Sequence, residues 1–158
     1  MIDEADVRAG NIFAVVPSGV TSVAVDETYA EGTIVSNNPG VMFAEGVQTY
    51  LGPGSWTFRG GRLVRFSYED GGEAFRREFA KVGAGKDRPG IVSVGLNRGI
   101  TAIPLLFDQQ RGTVTMTVGR NAMQGGATRT PHLTAYHALR DATLRVDGTT
   151  IVESGSLV

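Results

Sequence analysis

Two histidines and no cysteine are available to this chain. Thiolate metal sites, disulfides and cysteine nucleophiles are therefore excluded, and imidazole chemistry rests on His132 and His137. His132 sits in "GGATRTPHLTAY", residues 125–136, a glycine-rich turn after a strand-like segment, where metallo-hydrolases often keep a ligand. The structural reading makes His132 a turn residue with its ring bonded to backbone and His137 a surface residue. The functional reading makes His132 a general base or ligand anchor, with Thr115, Thr134 and Tyr136 as hydrogen-bonding partners. Five residues apart, the two imidazoles share no helix face and lie on opposite sides of a strand, so they do not form a metal pair by themselves.

The elements that must position these residues are mostly short strands. Twenty-two glycines are spread along 158 residues, which indicates many tight turns within one domain. At that length folding buries roughly 70% of the unfolded surface, enough for a core without covalent staples. Strands are expected at 11–16, 20–25, 32–36, 55–58, 62–68, 91–95, 103–107, 112–118 and 142–146. One helix is expected over 72–82. Phe75, Phe79 and Val82 form its apolar stripe, Arg76, Arg77 and Lys81 lie off it, and Gly83 stands at the C-cap. The segment "TVTMTV" alternates strictly, placing Val114, Met116 and Val118 inward and Thr113, Thr115 and Thr117 on a face that is either solvated or lines a polar cleft. These elements predict a β-rich α+β domain with a mixed, twisted or partly closed sheet.

Charge and hydropathy narrow the partners. Fifteen Lys and Arg against sixteen Asp and Glu give a net charge of −1, so no global field attracts nucleic acid or anionic lipid. Arg76, Arg77, Arg59, Arg62 and Arg65 read as a solvated face. The opening "MIDEADVRAG" is acidic, unlike a signal peptide, and no apolar run approaches the ~18 residues of a membrane span, so a cytoplasmic location is expected.

The order of the motifs "VPSGV" (16–20), "YAEGTIV" (29–35), "FRGGRLV" (58–64), "VGLNRGI" (94–100), "LFDQQRGTVTMTVG" (106–119), "GGATRTPHLT" (125–134) and "VDGTTIVESG" (146–155) resembles that of the C-terminal domain of the metallo-aminopeptidases aminopeptidase T and aminopeptidase S, a family of leucyl aminopeptidases. In that family two divalent ions, held by carboxylates and histidines, activate a water against the peptide carbonyl. The resemblance places the family's two metal-binding carboxylates on Val20 and Ile91, a ligand histidine on Thr115 and a catalytic tyrosine on Ala122. The closing histidine and carboxylate fall on His132 and Thr134. Nearly all the ligands are thus replaced, and aliphatic Val20 and Ile91 would line the pocket where charge was needed.

The fold also resembles that of the ferrous 2,5-dihydroxypyridine dioxygenases, but Thr134 removes the carboxylate that a facial triad requires. The expectation is a metal-free domain without cofactor. Its ancestral cleft, comprising Val20, Ile91, Thr115, Ala122, His132, Thr134 and Tyr136, would bind a small molecule or a partner. The alternatives are a metal-independent or single-metal enzyme working through His132, and a structural oligomerisation domain. The resemblance implies an N-terminal α/β domain that these 158 residues do not include, and a homo-oligomer is expected to cover the surface left bare.

Overall fold

Short alternating segments separated by turns give, in the computed structural model, a set of antiparallel ladders. The structure describes residues 19–44, 46–100, 107–130 and 133–158. In chain order the first six strands are β1 (Val20–Ala24), β2 (Gly32–Ser36), β3 (Gly40–Ala44), β4 (Val47–Leu51), β5 (Gly54–Arg59) and β6 (Arg62–Tyr68). Helix α1 (Gly72–Lys81) follows, then β7 (Pro89–Gly95), β8 (Val114–Gly119), β9 (Leu133–Leu139), β10 (Leu144–Val146), β11 (Thr149–Glu153) and β12 (Ser156–Leu157). This is a β-rich α+β domain, the class expected from the sequence.

The main sheet has six strands in the order β1-β7-β8-β9-β3-β4, and two three-stranded sheets, β2-β5-β6 and β10-β11-β12, accompany it. Every ladder between these strands is antiparallel, so the mixed sheet expected above is corrected. Hairpins need only short turns, which the dispersed glycines supply, whereas parallel pairing would need long crossovers.

The core lies between one face of the main sheet and the β2-β5-β6 sheet. Met42, Val118, Leu133 and Ala135 from the first meet Trp56, Phe58 and Leu63 from the second. Helix α1 inserts Phe75 into the same cluster, with Phe79 and Val82 packed at its edge, as the stripe predicted. The helix stops at Lys81 because Val82 is already extended, with φ −82° and ψ 141°, so Gly83 makes no left-handed cap. The β10-β11-β12 sheet seats Val152 on Val94 and Val114.

The positions of β1, β2, β5, β6, β7, β8 and β10 follow the predicted segments to within two or three residues. Residues 11–16 and most of 103–107 lie outside the described residues, and Phe107 opens a 3-10 turn, Phe107–Gln109, in place of ending a strand. Strands β3, β4, β9, β11 and β12 were not anticipated. The most consequential is β9, because "LTAYHAL" carries Ala and His where strand formers were sought, yet it pairs with β3 and β8 inside the sheet.

Candidate functional site

Cross-strand partners in a ladder point to the same face. Ser93 faces Thr115, Thr117 faces Tyr136, and Thr134 faces Phe43. All of them lie on the side of the main sheet opposite Met42, Val118 and Leu133, away from the core. Over this side opens a cleft of about 330 Å³. Its floor is Ile91, Ser93, Thr115, Thr117, Thr134 and Tyr136, and its walls are Phe43, Asp108, Arg120, Met123 and Gln124.

Two connections build the walls, and each depends on one residue. The first is the turn carrying Asp108, which lies against the end of β7 because Gly95 has no side chain. A Cβ at Gly95 would stand 2.0 Å from the Gln110 carbonyl oxygen and 2.8 Å from that of Asp108. Backbone bonds from Asn97 N to Gln109 O (3.0 Å) and from Gly112 N to Gly95 O (2.9 Å) fix the turn there. The second is the loop bearing Met123 and Gln124, gathered around the Glu27 carboxylate. Oε1 of Glu27 accepts from Asn121 Nδ2 (2.7 Å), Ala127 N (2.9 Å), Thr128 N (3.1 Å) and Thr128 Oγ1 (3.1 Å). The Asn121 hydrogen bond is the largest influence on Glu27, and with the Ala127 and Thr128 bonds it holds the carboxyl below the usual range against the opposing effect of burial.

Several polar groups at the cleft have unused capacity. Thr115 is 3% exposed, yet its Oγ1 has no hydrogen-bond partner, and the same holds for buried Oδ1 of Asp108. Thr117 Oγ1 accepts from Ile91 N at 2.8 Å, which leaves its proton to donate. Burial pushes the Asp108 carboxyl up, against the backbone N–H groups of Asp108 and Gln109 that favour its charged form. Tyr136 is raised too, first by burial and then by the negative charge of Asp108 and by Tyr50, so its hydroxyl stays protonated near neutral pH. The Tyr136 ring stacks on Phe43, with centroids 5.8 Å apart.

Of the residues singled out from the sequence, Ile91, Thr115, Thr134 and Tyr136 meet in this cleft. Val20 lies farther along β1, opposite Gly95, where the Asp108 turn packs, and it does not line the cleft. Ala122 opens the 3-10 turn Ala122–Gln124, whose next two residues form the wall while its own side chain does not. His132 lies outside the described residues. The row Thr113, Thr115 and Thr117 is buried and not solvated, and two of its three members line the cleft.

His137 corrects the expectation of a surface residue. Strand parity sets it with Leu133 and Ala135 on the core side, where it is 1% exposed. Its ring lies edge-on to Trp56 at 4.8 Å and stacks on Tyr68 at 5.4 Å. Burial pushes it down to about 4, against a weak favourable contact with the Asn38 backbone, and neither ring nitrogen has a partner of good geometry. It faces away from the cleft and cannot serve it.

Asp108, Arg120 and Ser93 are cleft residues that the sequence reading passed over. The signal available for Asp108 was its place in "LFDQQRG", a polar run breaking sharply from apolar residues just before a glycine turn.

The described residues of this cleft do not fit the metals of the two resembled families. Its facing strand positions offer an aliphatic side chain and hydroxyls, and among the described residues Asp108 is its one carboxylate. Among the described residues no three His, Asp or Glu side chains gather to hold an ion. No family model matches the chain, and no curated protein matches it in sequence. Among solved structures the chain is similar to 2,5-dihydroxypyridine dioxygenase from Pseudomonas putida KT2440, with a TM-score of 0.66 and 16% identity over 87% of this chain. The match spans 42% of that enzyme's chain, and at this identity it shows a shared fold alone.

Proposed function

We propose that this is a metal-free binding domain, a catalytically degenerate relative of the aminopeptidase T fold that holds a small molecule in the cleft over its six-stranded sheet. The observation that carries the reading is the cleft floor. Ile91, Thr115 and Thr134 occupy positions where the resemblance would place metal ligands, and they present a hydrocarbon and hydroxyls. An unpaired Thr115 hydroxyl and Asp108 oxygen beside them give the cleft polar groups that no protein atom satisfies. A buried donor or acceptor left unpaired costs about 1–3 kcal/mol, and a ligand that pairs it recovers part of that cost.

Two measurements test this. Elemental analysis of untagged protein, before and after incubation with zinc, cobalt and ferrous iron, is expected to give well under one metal per chain. Near-stoichiometric metal would overturn the metal-free reading. A metabolite panel screened by melting temperature is expected to yield a compound that stabilises the wild type and not a Thr115→Val variant, since a ligand binding only the native state raises its stability. Self-association belongs to the same proposal: among the described residues β4 is an edge strand of the main sheet, and Val47 and Tyr50 on it are exposed.

A further inference from the structure

The buried side-chain oxygens without a hydrogen-bond partner, among the described residues, belong to the turn packed on Gly95 and to Thr115 of β8. Three are on successive residues of the turn packed on Gly95, namely Asp108 Oδ1, Gln109 Oε1 and Gln110 Oε1, and the fourth is Thr115 Oγ1. Asp108 and Thr115 line the same cleft. Three of these four oxygens can only accept, and Asp108 adds a carboxylate held in surroundings poorer in water than bulk solvent. The rest of the cleft is of a different character: Phe43 and Tyr136 form a stacked aromatic pair, with Ile91 and Met123 beside them.

We propose that the ligand of this cleft is an organic monocation, an ammonium on an apolar or aromatic body, with its charged head donating to Asp108 and Thr115 and its body against Phe43 and Tyr136. This rests on the reading of the cleft as a small-molecule site. A carboxylate whose oxygen has no partner is complemented by a group that brings both charge and N–H donors, and such bonds are about twice as strong as neutral ones. The aromatic faces of Phe43 and Tyr136 take the apolar body of such a ligand by burial and ring stacking. An inorganic ion is a poorer match, because hard cations take six or more oxygens and the described residues of the cleft supply one carboxylate beside Arg120 and several apolar side chains. Arg120, an exposed residue of the cleft wall, disfavours a second positive charge on the ligand.

Phenethylamine, phenethyl alcohol and phenylacetate share one body and differ in charge, and calorimetric titration of each against the full chain near neutral pH tests the inference. The amine is expected to bind at least about tenfold more tightly than the alcohol, a difference of about 1.4 kcal/mol. Asp108→Asn is expected to bring the two to parity, with Asp108→Ser as the second variant if the first does not fold. Equal affinities in the wild type, or an amine preference that persists in the Asp108 variants, would overturn the cation while leaving the cleft as a binding site. Preference for phenylacetate would overturn it in favour of Arg120. Absence of binding by all three at millimolar concentration would also overturn it, and the metabolite panel would then decide separately whether the cleft binds anything.

Discussion

Thr115→Val removes one hydroxyl from the floor of the cleft and leaves the shape of the side chain almost unchanged. Both residues are β-branched, so strand propensity nearly cancels, and the position is buried in β8 between Ser93 and Ala138 on the flanking strands. In most buried sites losing a hydroxyl breaks a hydrogen bond and destabilises by about 1 kcal/mol. Here Oγ1 has no bond to lose, and it sits out of contact with solvent. The substitution therefore relieves a desolvated polar atom, worth about 1–2 kcal/mol in favour of the variant. For a domain of this length that corresponds to a melting temperature higher by roughly 2–8 °C. Differential scanning calorimetry and urea unfolding, without ligand, read the change directly. A variant that gains stability while losing response to the ligand that stabilises the wild type would show a residue kept for binding at the expense of the fold. A loss of more than about 1 kcal/mol would refute the reasoning, because it would mean that the hydroxyl is satisfied in the native protein.

Gly95→Ala drives a methyl group into the backbone of the Asp108 turn, and it is expected to cost at least about 2 kcal/mol by urea unfolding and to abolish cleft binding; an unchanged midpoint would show that the turn does not need that contact. His137 is charged in the unfolded chain below its ordinary value of 6.5 and resists protonation in the fold until about 4, so its contribution to stability is full above 6.5 and falls as pH drops between the two. His137→Leu should flatten the stability–pH curve across that window, and an unaltered slope would contradict the burial argument. Glu27 has the lowered value of a bonded carboxylate, so its stabilisation is present above the ordinary 4.5 and disappears as pH falls through its lower native value. Stability of Glu27→Gln should accordingly approach that of the wild type in that acid range and fall short of it at neutral pH, as measured by denaturant unfolding at several pH values. Light scattering should show a species larger than a monomer, which Tyr50→Lys on the edge strand β4 returns to monomer; a wild type already monomeric would remove the edge-pairing proposal.

What was legible in the sequence is the alternation, and what was hidden is everything that depends on which element covers which. "TVTMTV" showed a two-faced strand and "FRREFAKV" a one-striped helix, because period alone separates their faces. Whether the threonine face met water or a cleft depended on β9 and the Asp108 turn lying alongside, and no local pattern encodes that contact. His137 shows the same limit from the other side. Read alone it is a polar residue near the end of a turn-rich stretch, but once β9 exists, its parity with Leu133 and Ala135 commits it to the core beneath Trp56. The motif resemblance named three residues that do meet, Ile91, Thr115 and Thr134, and the reading of His132 added Tyr136, yet neither could name Asp108, which replaces nothing in the metal-site pattern. Asp108 reaches the cleft only because Gly95 lets a whole turn settle on β7, and Met123 and Gln124 reach it only because Glu27 gathers their loop. A glycine and a glutamate remote from each other in sequence, neither lining the cleft, thus set the walls around the hydroxyls of the floor. The floor carries no charged side chain, so the Asp108 carboxylate and the Arg120 guanidinium on the walls are the charges that a molecule entering the cleft meets.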